Sequence, residues 1–404
     1  MPISLIQAVF GKPRNPYRGL LPFTSEDSEY FFGRTNVIET LEEYVTNQPV
    51  VVVSGASSAG KSSLVFAGLV PRLRQQGDWL IAHFRPKNHP FQQLADALSN
   101  ADNNQPAEQN ATEKLAKQLE TGEKRLSEIV QQRLEKNSAS RFLLIVDQFE
   151  ELLDTSMPES KRQNCLIDQL FAAMPPKFTL LVTLRTEFMS QARSYPPFRK
   201  ALTESGREIG LAQMTEDDLR SAIVQPARTQ GVTYTQGLVD QILLDLGLAP
   251  GRLSVLEFAL DKLWQQKGES GTITYDHYNA IGGVNHAIAR HAEQFYQGLN
   301  DDDKSRLPRV LAQMVRPGEK GTPDARQIAN ETQIGADNWD LVGKLAANGL
   351  VVVTSDNNVE LVSDALIHHW PRLQGWINEK REFRSWQNRL RVDIEKWENA
   401  NAKG

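Results

Sequence analysis

A chain of 404 residues is too long for one ordinary domain, and 40% hydrophobic with 24% charged residues is the balance of a folded protein in water. The formal charge of -5 gives no electrostatic case for nucleic acid or an acidic lipid surface as the main partner. The single cysteine, Cys165, excludes an intramolecular disulfide, the scarcity of histidine argues against structural zinc, and no apolar run reaches the roughly eighteen residues of a membrane span.

The opening MPISLIQAVFGKPR holds too short an apolar run for a signal peptide, so a cytoplasmic location is expected. The first half then alternates β-rich runs with helical patterns, as a parallel sheet built from βαβ units does. Val50–Val53 is a continuous β-branched run and reads as a central strand buried on both faces. Directly after it, Gly55, Ala56, Ser57, Ser58, Ala59, Gly60, Lys61 and Ser62 match the G-x-x-x-x-G-K-[ST] loop in full, with Ser63 behind. Glycine permits backbone angles that turn successive N–H groups inward into an anion nest. Lys61 brings charge to the β- and γ-phosphates, the Ser62 hydroxyl is a magnesium ligand, and the helix beginning there aims its positive end at the same point. The bland alternative is a Gly/Ser turn that fits by chance; a strand before and a helix after argue against it.

Leu80–Phe84 and Phe142–Val146 are further strands, and the polar stretch 99–112 between them reads as a surface loop. The second of these strands ends in Asp147, the position of a carboxylate that holds magnesium through water. Glu150 and Glu151 follow; either can polarise an attacking water, Glu150 being preferred, and the other is a solvated charge. Cys165 lies in a helical run and reads as a small core residue. Thr179–Thr183 is the next strand, leading to Leu184 and Arg185, and an arginine leaving a strand beside the acidic one can reach a γ-phosphate; otherwise it is a surface arginine.

From Thr215, a good N-cap, helical periods dominate through Thr215–Gln230, Thr235–Leu246 and Leu253–Gln266. Late strands Leu350–Thr354 and Val359–Val362 flank a turn at Ser355–Asn358, and a hairpin behind several helices suits a winged helix. His368 and His369 are neighbours on a helix, about 100° apart, and do not converge on one metal ion. The tail Trp376–Trp397 repeats Trp376, Phe383, Leu390 and Trp397 at heptad steps, with Trp386 and Ile394 beside them, as a packing face does.

With these elements in order, the chain resembles the STAND class of P-loop NTPases, nearest a bacterial branch often joined to WD-repeat or TPR arrays. The resemblance covers nearly the whole chain and rests on Asn15–Phe23, Tyr30–Arg34, the P-loop, Thr183–Arg185, Met214–Ile223, Gln225–Gly231, Leu256–Trp264, Ile281–Val284 and Val359–Trp376. It implies an α/β P-loop NTPase domain, a parallel sheet with helices on both faces, followed by a helical lid and a winged-helix domain. The expected division is an N-terminal segment at 1–30, the nucleotide-binding domain at 31–212, the lid at 213–284, the winged helix at 285–375 and a connecting helix at 376–404. The resemblance implies that Gly33 and Arg34 lie against the adenine and that Arg185 closes a nucleotide-sensing strand.

This chain departs from the pattern at three positions. Thr35 stands where glutamate is usual. Ser254 replaces the lid proline that contacts the base, and Ser363 replaces the histidine that meets the β-phosphate of ADP. The implied function is a weak, magnesium-dependent ATPase that signals: closed with ADP, released with ATP into a homo-oligomer, with sensor or effector modules downstream. The rival readings are a nucleotide-dependent DNA-binding regulator and a motor ATPase of the AAA+ kind.

Overall fold

A computed structural model describes residues 13–87, 89–101, 109–136, 140–153, 160–172, 175–247, 252–318, 323–353, 358–379 and 381, with the side chains of 160–164 left aside. The chain forms two compact units, one of Phe23–Gln213 and the other of Met214 onward together with the segment up to Pro22.

The first unit is built on a five-stranded sheet of β1 (Val50–Gly55), β2 (Trp79–Phe84), β3 (Arg141–Val146), β4 (Phe178–Arg185) and β5 (Gly206–Gly210), in the order β2-β3-β4-β1-β5. Every neighbouring pair is parallel, so each return crosses a face of the sheet as helix or loop. The two-residue period of a strand sorts the β1 valines. Val51 and Val53 enter a core with Ile38, Leu41 and Val45 of helix Thr35–Asn47 and with Leu64, Leu69 and Leu73 of the helix after the P-loop. Val50 and Val52 face a second core with Phe91, Leu94, Leu166 and Phe198. The β-branched run thus has hydrocarbon on both sides, as a central parallel strand requires.

β5 is not among the strands expected from sequence. It is an edge strand, Gly-Arg-Glu-Ile-Gly, whose residues after Gly206 are exposed or half-buried, so the apolar signal that marks the inner strands is missing. Of the stretch 99–112 expected as a loop, 99–100 belong to helix Pro90–Asn100 and 109–112 to helix Gln109–Glu120, and 102–108 lie outside the described residues. Cys165 is half-buried against the second core.

Because all five strands are parallel, their C-terminal ends share one edge. The register pairs Gly55 with Arg185 and Val53 with Thr183, and on the other side of β4 pairs Val182 with Val146. The strand between β1 and β3 therefore ends beside both the P-loop and Asp147, the edge where ligands bind in open α/β sheets.

The second unit has one continuous core. Helix Glu216–Thr229 starts at a reciprocal cap, Thr215 Oγ1 accepting from the Asp218 N–H and Asp218 accepting from the Thr215 N–H. Ile223 of that helix packs with Ile242 of Leu238–Leu246, Leu260 of Arg252–Lys267 and Ile288 of Gly283–Gly298. Further on come helices Asp301–Gln313, Glu331–Ile334 and Trp339–Ala347. Antiparallel strands Val351–Val353 and Asn358–Leu361 follow, with Ala329–Asn330 completing a three-stranded sheet. Trp376 packs on Trp370 and Tyr296, ring centres 5.7 and 5.8 Å away. The turn residues 355–357 and the heptad positions Phe383, Trp386, Leu390, Ile394 and Trp397 lie outside the described residues.

Of the leading residues expected at 1–30, those described up to Pro22 belong to the second unit and those from Phe23 to the first. Asn15 Nδ2 donates to Asp261 Oδ1 at 2.7 Å, and the buried Tyr17 hydroxyl donates to the Ile223 carbonyl at 2.5 Å and meets the Tyr234 hydroxyl at 2.7 Å, all within the second unit. From Phe23 the chain joins the sheet unit, where Ser25 Oγ donates to the Phe66 carbonyl. Among the described residues no helix is long and apolar enough to cross a membrane.

Candidate functional site

The loop after β1 turns tightly, with the Ala59 N–H on the Ala56 carbonyl at 3.2 Å. Gly60 at φ 88° and Ser58 at φ 57° both hold left-handed backbone. Gly60 does so freely; Ser58 carries a Cβ there, at a cost of about 1–2 kcal/mol. From Lys61 the chain is one helix: Lys61–Ser63, a π-helical turn Leu64–Leu69, then Val70–Gln76. Lys61 folds back into the loop it follows, Nζ donating to the Gly55 and Ala56 carbonyls at 2.8 and 2.9 Å. Burial lowers the pKa of this ammonium, and nearby Glu150 is the main opposing influence.

Asp147, just past β3, accepts from Ser62 Oγ, 2.9 Å from each carboxylate oxygen, and its Oδ1 accepts from Thr183 Oγ1 at 2.6 Å. Gln148 then adopts a left-handed turn, φ 59° and ψ 53°, leading into the short 3-10 helix Phe149–Leu152. Phe149 anchors that turn, fully buried and stacked on Phe198 at 5.7 Å. The turn returns Glu150 to the end of β4, where its Oε1 accepts from Arg185 Nε and its Oε2 from the Arg185 N–H, both at 3.2 Å. Asp147 and Glu150 are each 8% exposed. Burial pushes the Glu150 carboxyl up, and Arg185 opposes it.

Glu151 takes other partners. Arg85 Nε donates to its Oε1 at 2.6 Å and the Lys87 N–H to its Oε2 at 2.8 Å, so it ties down the chain after β2. Gly33, at φ 83°, brings in Arg34, whose guanidinium donates to the Ala212 carbonyl at 3.0 Å and the Ala59 carbonyl at 3.4 Å. Arg34 thus braces the P-loop against the segment after β5. Ser63 Oγ accepts from the Phe23 N–H at 3.2 Å.

The structure brings Gly55–Ser62, Asp147, Glu150 and Arg185 to one sheet edge. Ser254 and Ser363 belong to the second unit: Ser254 is half-buried in the first turn of Arg252–Lys267, and Ser363 caps helix Asp364–His369, its Oγ accepting from the Ala365 N–H. Thr183, named from the sequence as a strand end and within the Thr183–Arg185 element but given no role of its own, stands in the candidate site. The available signal was a hydroxyl inside an otherwise apolar run, Leu180 to Leu184, on a strand whose neighbours both carry candidate site residues.

Ser62 and Asp147 present hard oxygen atoms side by side, the donor type that Mg2+ takes, and Mg2+ is commonly held by one or two such groups plus substrate phosphates and water. Among the described residues no group of three or more His, Cys, Asp or Glu gathers into an all-protein cage.

A parallel sheet carrying this loop on a central strand and an acid at the end of a second strand defines a P-loop NTPase. The description of the novel STAND NTPase 1 family matches residues 16–404, and the chain belongs to that family. Among solved structures it is similar to the Aeropyrum pernix ORC2 protein in ADPNP and ADP complexes, at 14% identity over 92% of this chain and 98% of that one, TM-score 0.48. It is also similar to a STAND protein with a tetratricopeptide-repeat sensor from Pyrococcus horikoshii, at 15% identity over 91% of this chain and 48% of that one, TM-score 0.36. A third is the Holliday junction branch migration motor RuvB of Thermotoga maritima, at 16% identity over 87% and 98%, TM-score 0.35. No curated protein matches the chain.

Proposed function

We propose that the chain is an ATP-dependent signalling switch, binding ATP and ADP at the Gly55–Ser62 loop and hydrolysing ATP slowly with Mg2+. The observation that carries this reading is the Ser62–Asp147–Thr183 cluster beside Lys61, because a P-loop hydroxyl bonded to a strand-end carboxylate is a ready metal-phosphate corner. Phosphate oxygens draw Lys61 off the Gly55 and Ala56 carbonyls, exchanging two neutral acceptors for charged ones. Ser62 and Asp147 would hold Mg2+, which supplies charge neutralisation at the phosphates.

Glu150 is the group that orients and polarises the attacking water. Here both its oxygens are engaged by Arg185, so it is latched. A γ-phosphate competes for that guanidinium and frees Oε1, while the Arg185 N–H keeps Oε2 in place, which couples the presence of ATP to the start of hydrolysis. Gly33 and Arg34 border the adenine side, and Ser254 and Ser363 are the second unit's nucleotide contacts in the closed state. In the same reading residues 213–284 form the lid. Residues 285–375, which hold those later helices and the three-stranded sheet, form a winged helix, and ATP drives assembly with further copies.

Two variants test this together. Lys61→Ala is expected to lower ATP affinity at least tenfold, about 1.4 kcal/mol, with an unchanged melting curve. Glu150→Gln is expected to bind ATP and fail to hydrolyse it. Full affinity in Lys61→Ala removes the P-loop assignment. Normal turnover in Glu150→Gln, with loss in Glu151→Gln, moves the catalytic role to Glu151. Rapid basal turnover with ring formation on ATP alone would replace the switch by a motor.

A further inference from the structure

Thr183 is fully buried in β4, two residues before its end, among Leu181, Val182 and Leu184. Packing alone would be served by valine there. A buried hydroxyl needs partners, and both of its partners are parts of the site. The Gln148 N–H can only donate, so Thr183 Oγ1 accepts from it, at 2.9 Å. The hydroxyl's one proton is then left for Asp147 Oδ1, at 2.6 Å, and an ionised carboxylate can only accept. The direction of both bonds is therefore set.

Sheet order explains why this falls to β4. It is the strand that touches both β3, which carries Asp147, and β1, which carries the P-loop. Asp147 leaves the end of its strand on two rotatable side-chain bonds. Ser62 holds the carboxylate from the P-loop side and Thr183 from the sheet side. The same oxygen of Thr183 pins the left-handed turn at Gln148 from which Glu150 is carried back to Arg185.

We infer that Thr183 is a positioning residue, acting through Asp147 to aim the metal-side carboxylate at Ser62. The inference rests on the reading of Lys61, Ser62 and Asp147 as a magnesium-nucleotide site. Partners of metal-binding groups typically contribute 10- to 100-fold in metal affinity.

The test is the binding of a fluorescent ATP analogue to the full chain, titrated with MgCl2 and repeated in EDTA. Thr183→Val is expected to raise the Mg2+ concentration for half-saturation about tenfold while leaving the affinity in EDTA within about twofold of wild type. Thr183→Ser, which keeps the hydroxyl, is expected to restore the wild-type requirement. In an Asp147→Asn background Thr183→Val is expected to add less than about a twofold change, because its target is gone.

A wild-type Mg2+ requirement in Thr183→Val overturns the inference. So does an equal loss with and without Mg2+ that serine does not rescue, since that marks a packing role. If Thr183→Val fails to fold, Thr183→Ala carries the same expectations. Absence of analogue binding by wild type overturns the nucleotide site and this inference with it, whereas failure in the Thr183 variants alone leaves the site standing.

Discussion

Gln148 and Ser58 hold left-handed backbone without being glycine, one beside the metal-side carboxylate and the other in the phosphate loop. Each costs about 1–2 kcal/mol, and such strain persists where surrounding bonds over-determine it, as the Gln148 N–H on Thr183 does. Gln148→Gly relieves that strain and adds about 0.5–1 kcal/mol of backbone entropy cost, so stability measured by urea unfolding is expected to hold or rise, by at most about 1.5 kcal/mol. Gln148→Val, β-branched at the same angle, is expected to destabilise by at least about 1 kcal/mol. Glu150 gives a pH prediction. Burial raises its pKa, and a carboxylate that must be ionised to act loses activity on the acid side of that value. The acid limb of the turnover profile is therefore expected above the ordinary carboxylate range, and pH-rate measurements on wild type should show it, while the residual rate of Glu150→Gln should lack it.

Among the elements, the leading segment is bound to helix Arg252–Lys267 within the second unit. Asn15 and Tyr17 fasten the segment, and beneath it lies Glu257, whose Oε2 is buried without a hydrogen-bond partner. Burial lifts this carboxyl to about 8, against a hydrogen bond from the Arg18 backbone that favours the charged form. A folded value raised above the unfolded one means stability fully present below the ordinary carboxylate pKa and lost as pH rises through about 8. Glu257→Gln mimics the neutral form. It is expected to melt with wild type near pH 5 and above it by several degrees at pH 8.5, at about 2–4 °C per kcal/mol, in thermal scans at both pH values. Tyr17→Phe removes the hydroxyl that bonds both the Ile223 carbonyl and the Tyr234 hydroxyl and is expected to cost about 1–2 kcal/mol, read by urea unfolding.

For the whole molecule, the proposed switch predicts that nucleotide state controls assembly. Sedimentation of Glu150→Gln with Mg2+ and ATP is expected to show a homo-oligomer, and the same protein with ADP the smallest species. A single species under both conditions would remove the assembly part of the proposal. In the proposed switch the γ-phosphate supplies the difference in contacts between the two states, by competing with Glu150 for the Arg185 guanidinium.

Local chemistry made the loop, its strand and the strand-end acid legible in the sequence, because phosphate cradling demands glycine, lysine and a hydroxyl at fixed spacing on consecutive residues. Continuous apolar runs did the same for β1, β3 and β4. Sequence spacing did not decide between Glu150 and Glu151, adjacent acids with the same chemistry. The left-handed turn at Gln148 separates them in space, sending one to Arg185 and the other to Arg85. β5 was illegible because an edge strand need not be apolar. Thr183 acquired its place from a parallel register that sets its hydroxyl against residues far off in the chain, and the leading segment was divided between two units by side-chain bonds to helices more than 200 positions away. Those assignments depend on which strands become neighbours, and pairing between distant segments leaves no periodic trace in either one.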